Sequence, residues 1–275
     1  MSASIIHTYV FDLSKKTPFK KHINKWSPFL QVSYKPINKE DMYIKAFVKH
    51  SFRLPSFNDM YYQLVGNVNL LPENALQSNL SVSYSKYIHR VLPYVSVSTD
   101  VYYNRVKDKI VAIPNKNLFV WSMINVGEVS IFGVDMRLSS EWEMIPQLSL
   151  ETTVNYTFQQ AIDISNPSSK VYKHQIPYTP KHVLSGIVAC HTKWINVSYT
   201  LLYAGKRYVL THNTPENLLE SYVDHGISIY RGFSIKKTDL YLHFDILNIA
   251  NSHYEVVKSY PMVGRQFQGK ITYKF

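Results

Sequence analysis

Eleven histidines and a surplus of cations are the groups in this chain best suited to chemistry. Metal binding on a strand favours histidines at alternate positions, where both rings share one face. No two histidines stand at that spacing. His89, His174, His182, His212 and His253 fall in or beside turns and loops, where a satisfied or solvated ring is the plain reading. A nucleophilic serine needs a histidine on its own side of the strand. His225 and Ser228 are three apart and His50 adjoins Ser51, so both pairs are opposed. Cross-strand pairs stay open. HExxH, GxSxG, GxxxxGK[ST], GxGxxG and CxxC are all absent, so no enzyme and no cofactor is expected. Asn79, Asn155 and Asn196 head Asn-x-Ser/Thr triplets, but on strand faces.

The charges point elsewhere. Thirty Lys and Arg against nineteen Asp and Glu give a net charge of +11, which favours anionic partners. Lys15, Lys16, Lys20, Lys21, Lys25, Lys107, Lys109, Lys116, Lys170, Lys173, Lys206, Arg207, Lys258 and Arg265 cluster in or beside long connections. Nucleic acid is not the expected partner, because the chain reads as a two-faced wall rather than a soluble basic module. The single Cys190 excludes an internal disulfide.

Those cations must be carried by strands. The dominant period is two. Leu80, Val82 and Tyr84 alternate with Ser81, Ser83 and Ser85; Val95, Val97, Thr99 and Val101 alternate with Ser96, Ser98 and Asp100. Leu148, Leu150, Val154, Tyr156 and Phe158 face away from Ser149, Glu151, Asn155 and Thr157. The closing GRQFQGKITYKF repeats the pattern and ends on Phe275. The alternation predicts about twelve strands, near 3–12, 27–35, 41–51, 77–88, 94–106, 126–143, 147–159, 181–192, 194–204, 222–234, 239–250 and 265–275, many near the ~9–11 residues that cross a bilayer when tilted.

Connection lengths alternate too. The short ones are 36–41, 89–93, 144–147, 192–194 and 236–239; the long ones are 13–26, 52–76, 107–125, 160–180, 205–221 and 251–264. Short turns at one end and long loops at the other mark an outer-membrane barrel. Trp26, Tyr34, Tyr43, Trp142, Tyr156, Phe158, Trp194, Tyr203, Tyr241 and Tyr273 crowd strand ends, as an interfacial girdle would. The fold expected is all-β, an antiparallel transmembrane barrel wall. A soluble β-rich module is the alternative. A twelve-stranded enzyme of the outer-membrane phospholipase kind would need Ser and His together on the lipid side near the outer rim.

SFRLPSFNDMYYQLVGNVNLLPE (51–73), NVGEVSIFGVDMRLSSEW (125–142), QIPYTPKHVLSG (175–186) and the ending from Leu240 to Phe275, in that order, resemble the C-terminal half of a TonB-dependent outer-membrane receptor of the cobalamin and ferric-siderophore kind. The resemblance implies about the last twelve strands of a wall of about 22, whose lumen a plug fills. It also implies a partial receptor spanning 1–275. In such a receptor an N-terminal plug carries the segment that meets the TonB energy-coupling complex. The sequence shows neither plug, nor that segment, nor a leader: MSASIIHTYVFD has no Lys or Arg and only a short apolar run. The missing plug and barrel half are thus expected partners, with outer-membrane lipid, lipopolysaccharide and a small ligand such as a metal chelate or cobalamin. Alone, the chain is expected not to transport, or to close as a passive twelve-stranded pore.

Local chemistry refines this. Ser56 and Asp59 are spaced for a capping box, with Arg53 placed to anchor the loop. Gly127 and Gly133 allow close packing or a bulge. Tyr62, Asn67, Asn69, Trp121, Lys206, Arg207 and Arg265, all in or beside long loops, are the expected ligand contacts.

Overall fold

The computed structural model describes residues 1–10, 23–88, 91–114, 120–235 and 238–275. Lys15, Lys16, Lys20, Lys21, Lys116 and His89 lie outside them. Twelve strands form one antiparallel sheet in chain order. They are β1 (Ser2–Val10), β2 (Ile23–Tyr34), β3 (Asp41–Arg53), β4 (Glu73–Lys86), β5 (Tyr94–Pro114), β6 (Trp121–Ile145), β7 (Leu148–Asp163), β8 (His182–Thr192) and β9 (Asn196–Ala204). β10 (Arg207–Tyr208) and β11 (Leu218–Leu219) make a small ladder in a loop. The wall resumes with β12 (Tyr222–Ile235) and β13 (Thr238–Leu247). β14 (Glu255–Val257) and β15 (Tyr260–Pro261) make a second loop ladder before β16 (Gln266–Lys274) closes the sheet order. β1 and β16 are its two edges. Among the described residues one short α-helix, α1 (Phe57–Tyr61), lies in the loop after β3, and a 3-10 turn spans Pro215–Asn217. No helix is long and apolar enough to cross a membrane.

Register carries the alternation across the whole wall. Phe267 pairs with Ile246, Ile246 with Ile227, and Ile227 with Tyr199. Tyr199 meets Val188, which meets Thr152. Farther along, Val134 pairs with Val101, Val101 with Leu80, Leu80 with Ala46, and Ala46 with Val32. Paired residues share a face, so one face is predominantly apolar, from β16 to β7 in the first series and from β6 to β2 in the second. The other row runs Gln268, Asp245, Ser228, Ser198, Ala189, then Asp135, Asp100, Ser81 and Lys45. Among the described residues nothing covers the apolar face. Leu30, Val48, Leu80, Phe132 and Phe244 are all exposed.

Two expectations need correction. The segment 107–125 is mostly ladder, not loop: pairing continues from Lys109–Val126 to Pro114–Trp121. Its sequence hides this because Val106, Val126 and Val129 are buried in the main apolar cluster with Ala161 and Ile176, and Ile110 is buried too. With both faces covered there, the period-two signal fades into a continuous apolar run. Tyr43 and Tyr241 sit on the polar row, opposite Ser83 and Gly232, and so are not girdle residues. At Gly133, of close packing or a bulge, the structure has close packing. Its register is regular, and the Tyr102 ring lies where a Cβ would be, 2.2 Å from Cζ.

Candidate ligand-facing loop platform

The short turns gather at one end of the sheet and the long loops at the other, where the loops bond to one another. The loop after β3 is pre-formed. Ser56 Oγ accepts from the Asp59 N–H at 3.1 Å, and Asp59 Oδ2 accepts from the Ser56 N–H at 2.9 Å, completing the expected capping box. Arg53 anchors it, donating to Asp59 at 3.2 Å and to Glu73 at 3.1 Å. Glu73 is buried and also accepts from the Ile110 N–H at 2.6 Å, so one carboxylate joins β3, β4 and β5. Leu64 adopts φ 67°, a left-handed position unusual for a branched side chain.

Asn67 is partly buried and structural in its bonding: Nδ2 donates to the Met123 carbonyl at 3.0 Å, and Oδ1 accepts from the Asn69 N–H at 2.9 Å. The Met123 N–H returns a bond to Val65. Asn125 adds a reciprocal clasp with the Leu71 backbone. Tyr62 and Trp121 are brought together by these bonds. They line one cleft of about 700 Å³ with Phe57, Tyr61, Leu64 and Val120. Asn69 is exposed nearby in chain sequence.

Lys206, Arg207 and Arg265 lie in other loops. Lys206 is an exposed cation paired with Glu220 at 3.0 Å. Arg207 is 4% exposed. It donates to the carbonyls of Glu220, Glu255 and Val256 at 3.1, 2.6 and 3.1 Å, and its guanidinium lies 5.2 Å from the Tyr222 ring centre. Burial lowers its pKa from the ordinary value. Tyr222 stacks on Tyr254 at 4.4 Å. The Tyr254 hydroxyl donates to Asp224 at 2.9 Å. Burial, then that bond, pushes its pKa up to about 12. Arg265 donates to the Ile249 carbonyl at 2.9 Å through Nε. A cleft of about 470 Å³ lies where this loop meets the wall, with Asp224, Gly226, Leu247, Tyr254 and Met262 in its lining.

Trp121 touches Tyr178 at 5.3 Å, and the Tyr178 N–H donates to the Tyr208 carbonyl. Asn213 and Gln175 exchange two amide–backbone bonds. Tyr178, Asn213, Tyr254 and Asn125 thus organise the platform, and sequence reasoning did not single them out. An abundance of tyrosine was the available signal, but it does not say which ring lies where.

Ser228 and His243 do meet on the polar face, but both bind Asp245 Oδ1, at 2.5 and 2.8 Å. His243 Nε2 and the Ser228 hydroxyl thus share one carboxylate oxygen. His225 is on the opposite, apolar row. Among the described residues no group of three or more His, Cys, Asp or Glu is arranged to hold a metal ion.

Residues 7–249 match the family described as TonB dependent receptor-like, beta-barrel. The chain belongs to the TonB-dependent receptor β-barrel family. Members of that family are outer-membrane barrel receptors and transporters, which sets aside the soluble alternative. Among curated proteins, the chain is 29% identical over 103 residues to the vitamin B12 transporter BtuB of Vibrio vulnificus (strain YJ016), covering 34% of this chain and 16% of that one. Among solved structures, it is similar in fold to the unliganded ferric citrate transporter FecA, with TM-score 0.67 and 15% identity over 91% of this chain and 38% of that one. The copper transporter OprC gives 0.65 and 12% over 91% and 39%. BauA, the ferric preacinetobactin receptor from Acinetobacter baumannii, gives 0.65 and 12% over 96% and 38%. The chain therefore spans about two fifths of the solved TonB-dependent receptors it resembles. In such a receptor the apolar row faces lipid, the polar row faces the lumen, and the long loops face outward.

Proposed function

We propose that this chain is the C-terminal wall and loop platform of a receptor for energised uptake of a scarce nutrient: a metal chelate, a siderophore or cobalamin. The observation that carries the reading is the shared cleft of Tyr62 and Trp121 at the loop end of the wall. Aromatic faces take planar chelates and corrin-like rings by stacking, while Lys206 and the basic loops favour anionic ones. Tyr62, Asn69, Trp121 and Lys206 meet the ligand; Asn67, Arg207 and Arg265 hold the loops that present them. The basic loops also face the phosphates of lipopolysaccharide.

The wall needs a complement. Backbone groups on β1 and β16 left unpaired in hydrocarbon cost several kcal/mol each. Over about ten residues per edge, that amounts to tens of kcal/mol. The two edges run antiparallel, so any inserted partner must supply an even number of strands. An N-terminal barrel half with its plug meets that condition, and coupling to TonB passes through the plug. Direct pairing of β1 with β16 meets it too, which favours a second reading: a narrower, closed pore without energised transport.

The test adds ferric siderophores or cobalamin to the chain, alone and co-refolded with the N-terminal half of a family receptor. The receptor reading expects quenching of Trp121 fluorescence, abolished in Tyr62→Ala. Ligand-independent conductance of the chain alone in planar bilayers would establish the pore instead.

A further inference from the structure

The cleft under the final loop shares no lining residue with the Tyr62–Trp121 cleft. Asn155, Ser185, Leu202 and Asp224 stand side by side on the polar row, paired in that order across β7, β8, β9 and β12. All four line the cleft, and Tyr254 and Met262 reach it from the loop. Its volume of about 470 Å³ falls in the range of small-ligand sites. At strand spacings of ~4.8 Å, the row from Asn155 to Asp224 is ~14 Å long.

The chain carries a net charge of +11, yet this cleft is acidic. Asp224 is the carboxylate of the lining, and neither Lys nor Arg is among the described residues that form it. The cations of the neighbouring loops are engaged elsewhere. Arg207 is spent on backbone carbonyls, Arg265 on the Ile249 carbonyl, and Lys206 on Glu220. Asp224 Oδ2 accepts from the Tyr254 hydroxyl at 2.9 Å. Among the described residues no cation pairs with Asp224, and Oδ1 is left for a guest.

The neighbouring groups are acceptors as well. Asn155 spends an N–H on Ser185 Oγ at 3.4 Å, which leaves its carbonyl oxygen. The Thr200 hydroxyl donates to the Gly226 carbonyl at 3.5 Å, which leaves its lone pairs. Leu202 and Leu247 supply apolar surface between these oxygens. An ammonium has three donors and no acceptor, and its bond to a carboxylate is of the strong, charge-assisted kind.

We infer that this cleft binds the protonated amine of a small ligand. Asp224 Oδ1 takes the ammonium, the oxygens of Asn155, Ser185 and Thr200 take the remaining polar hydrogens, and Leu202 and Leu247 line the carbon stem. Tyr254 is a positioning residue, since it fixes the carboxylate from the loop side. The site is independent of ligand stacking at Tyr62 and Trp121.

The test uses the full chain in zwitterionic micelles, with isotopically labelled methionine methyl groups observed by NMR. The Met262 signal, identified by its loss in Met262→Leu, reports the cleft. Cadaverine should move it at a concentration about tenfold or more below that needed for pentanediol, the scale of a charge-assisted hydrogen bond. Glutarate should leave it in place. Asp224→Asn keeps an oxygen for the Tyr254 hydroxyl and should weaken cadaverine by about tenfold, to the level of the diol. Should that variant fail to fold, the comparison of amine, diol and diacid on the unaltered chain decides. Equal response to amine and diol, a response to glutarate as strong as to cadaverine, or undiminished cadaverine binding in folded Asp224→Asn overturns the site. So does an equal shift of Met42 and Met144, which would mark unspecific attraction to the acidic groups of the chain. Failure of siderophores or cobalamin to quench Trp121 would leave this result untouched.

Discussion

Arg207 donates through Nη2 to the Glu255 carbonyl at 2.6 Å, so a side chain from the loop after β9 holds the backbone of the loop after β13. Among the described residues the buried guanidinium has no carboxylate partner; carbonyl dipoles and the Tyr222 face surround it. Such a group is costly to remove, because the carbonyls lose their donor inside the protein.

Arg207→Met should therefore loosen both loops together, at a cost of about 2–4 kcal/mol. Arg207→Lys should recover less than half of it, since an ammonium cannot span carbonyls as a planar fork does. Limited proteolysis would show simultaneous nicking in 205–221 and 251–264. Nicking confined to the first loop would contradict the cross-loop role.

Tyr254 gives the same platform a pH limit. Its folded pKa is raised to about 12, by burial first and then by its bond to Asp224, against ~10 for an unfolded tyrosine. The folded loop thus holds a proton that the unfolded chain releases. Its contribution is complete below pH ~10 and is lost as pH rises through about 12. Absorbance titration near 295 nm should lose its highest component in Tyr254→Phe. Near-ultraviolet circular dichroism of that variant should be flatter over this range. A Tyr254→Phe titration indistinguishable from wild type would refute the assignment.

Glu73 offers a separate test at the other side of the rim. It is buried, and it accepts from Arg53 and from the Ile110 N–H. Glu73→Ala should destabilise the chain by about 1–3 kcal/mol. The partial exposure of Arg53 limits the ion-pair share. Glu73→Gln keeps an oxygen for Ile110 and should cost less than half as much. Urea unfolding in detergent measures both. Equal losses would mean that the backbone bond contributes little.

Much of this wall was legible in the sequence. Alternation at Leu80–Tyr84, Val95–Val101 and Leu148–Phe158 places residues on the rows where register puts them, because one face meets an apolar medium and the other water. The Ser56–Asp59 box was legible for a similar reason: two side chains at fixed spacing satisfy local N–H groups. The upper β5–β6 ladder was not legible, since burial of Ile110 and Val126 erases the period. Nor was the platform. Its bonds end largely on backbone groups of distant segments, such as Asn67 to the Met123 carbonyl and Arg207 to the Glu255 carbonyl, and backbone atoms carry no residue identity. Tyr62 and Trp121 were both named as ligand contacts, but their shared cleft came only with the structure.

Gly133 provides the sharpest test of side-chain packing on the lumen row. A Cβ there would sit 2.2 Å from Tyr102 Cζ, well inside contact distance, so Gly133→Ala must displace the ring. Displacement also breaks the bond from Gln159 to the Tyr102 hydroxyl, 3.2 Å long. The expected cost is about 1–3 kcal/mol. Tyr102→Ala removes the obstacle, so adding Gly133→Ala to it should cost almost nothing. The double-mutant cycle should then show a coupling of at least about 1 kcal/mol. Strictly additive losses would mean that the glycine is kept for its backbone and not for the ring above it. The same cycle at Gly232 and Tyr241, where a Cβ would lie 3.1 Å from the ring, should give a smaller coupling. A shift of a few tenths of an ångström relieves that contact, whereas Tyr102 has to leave its place.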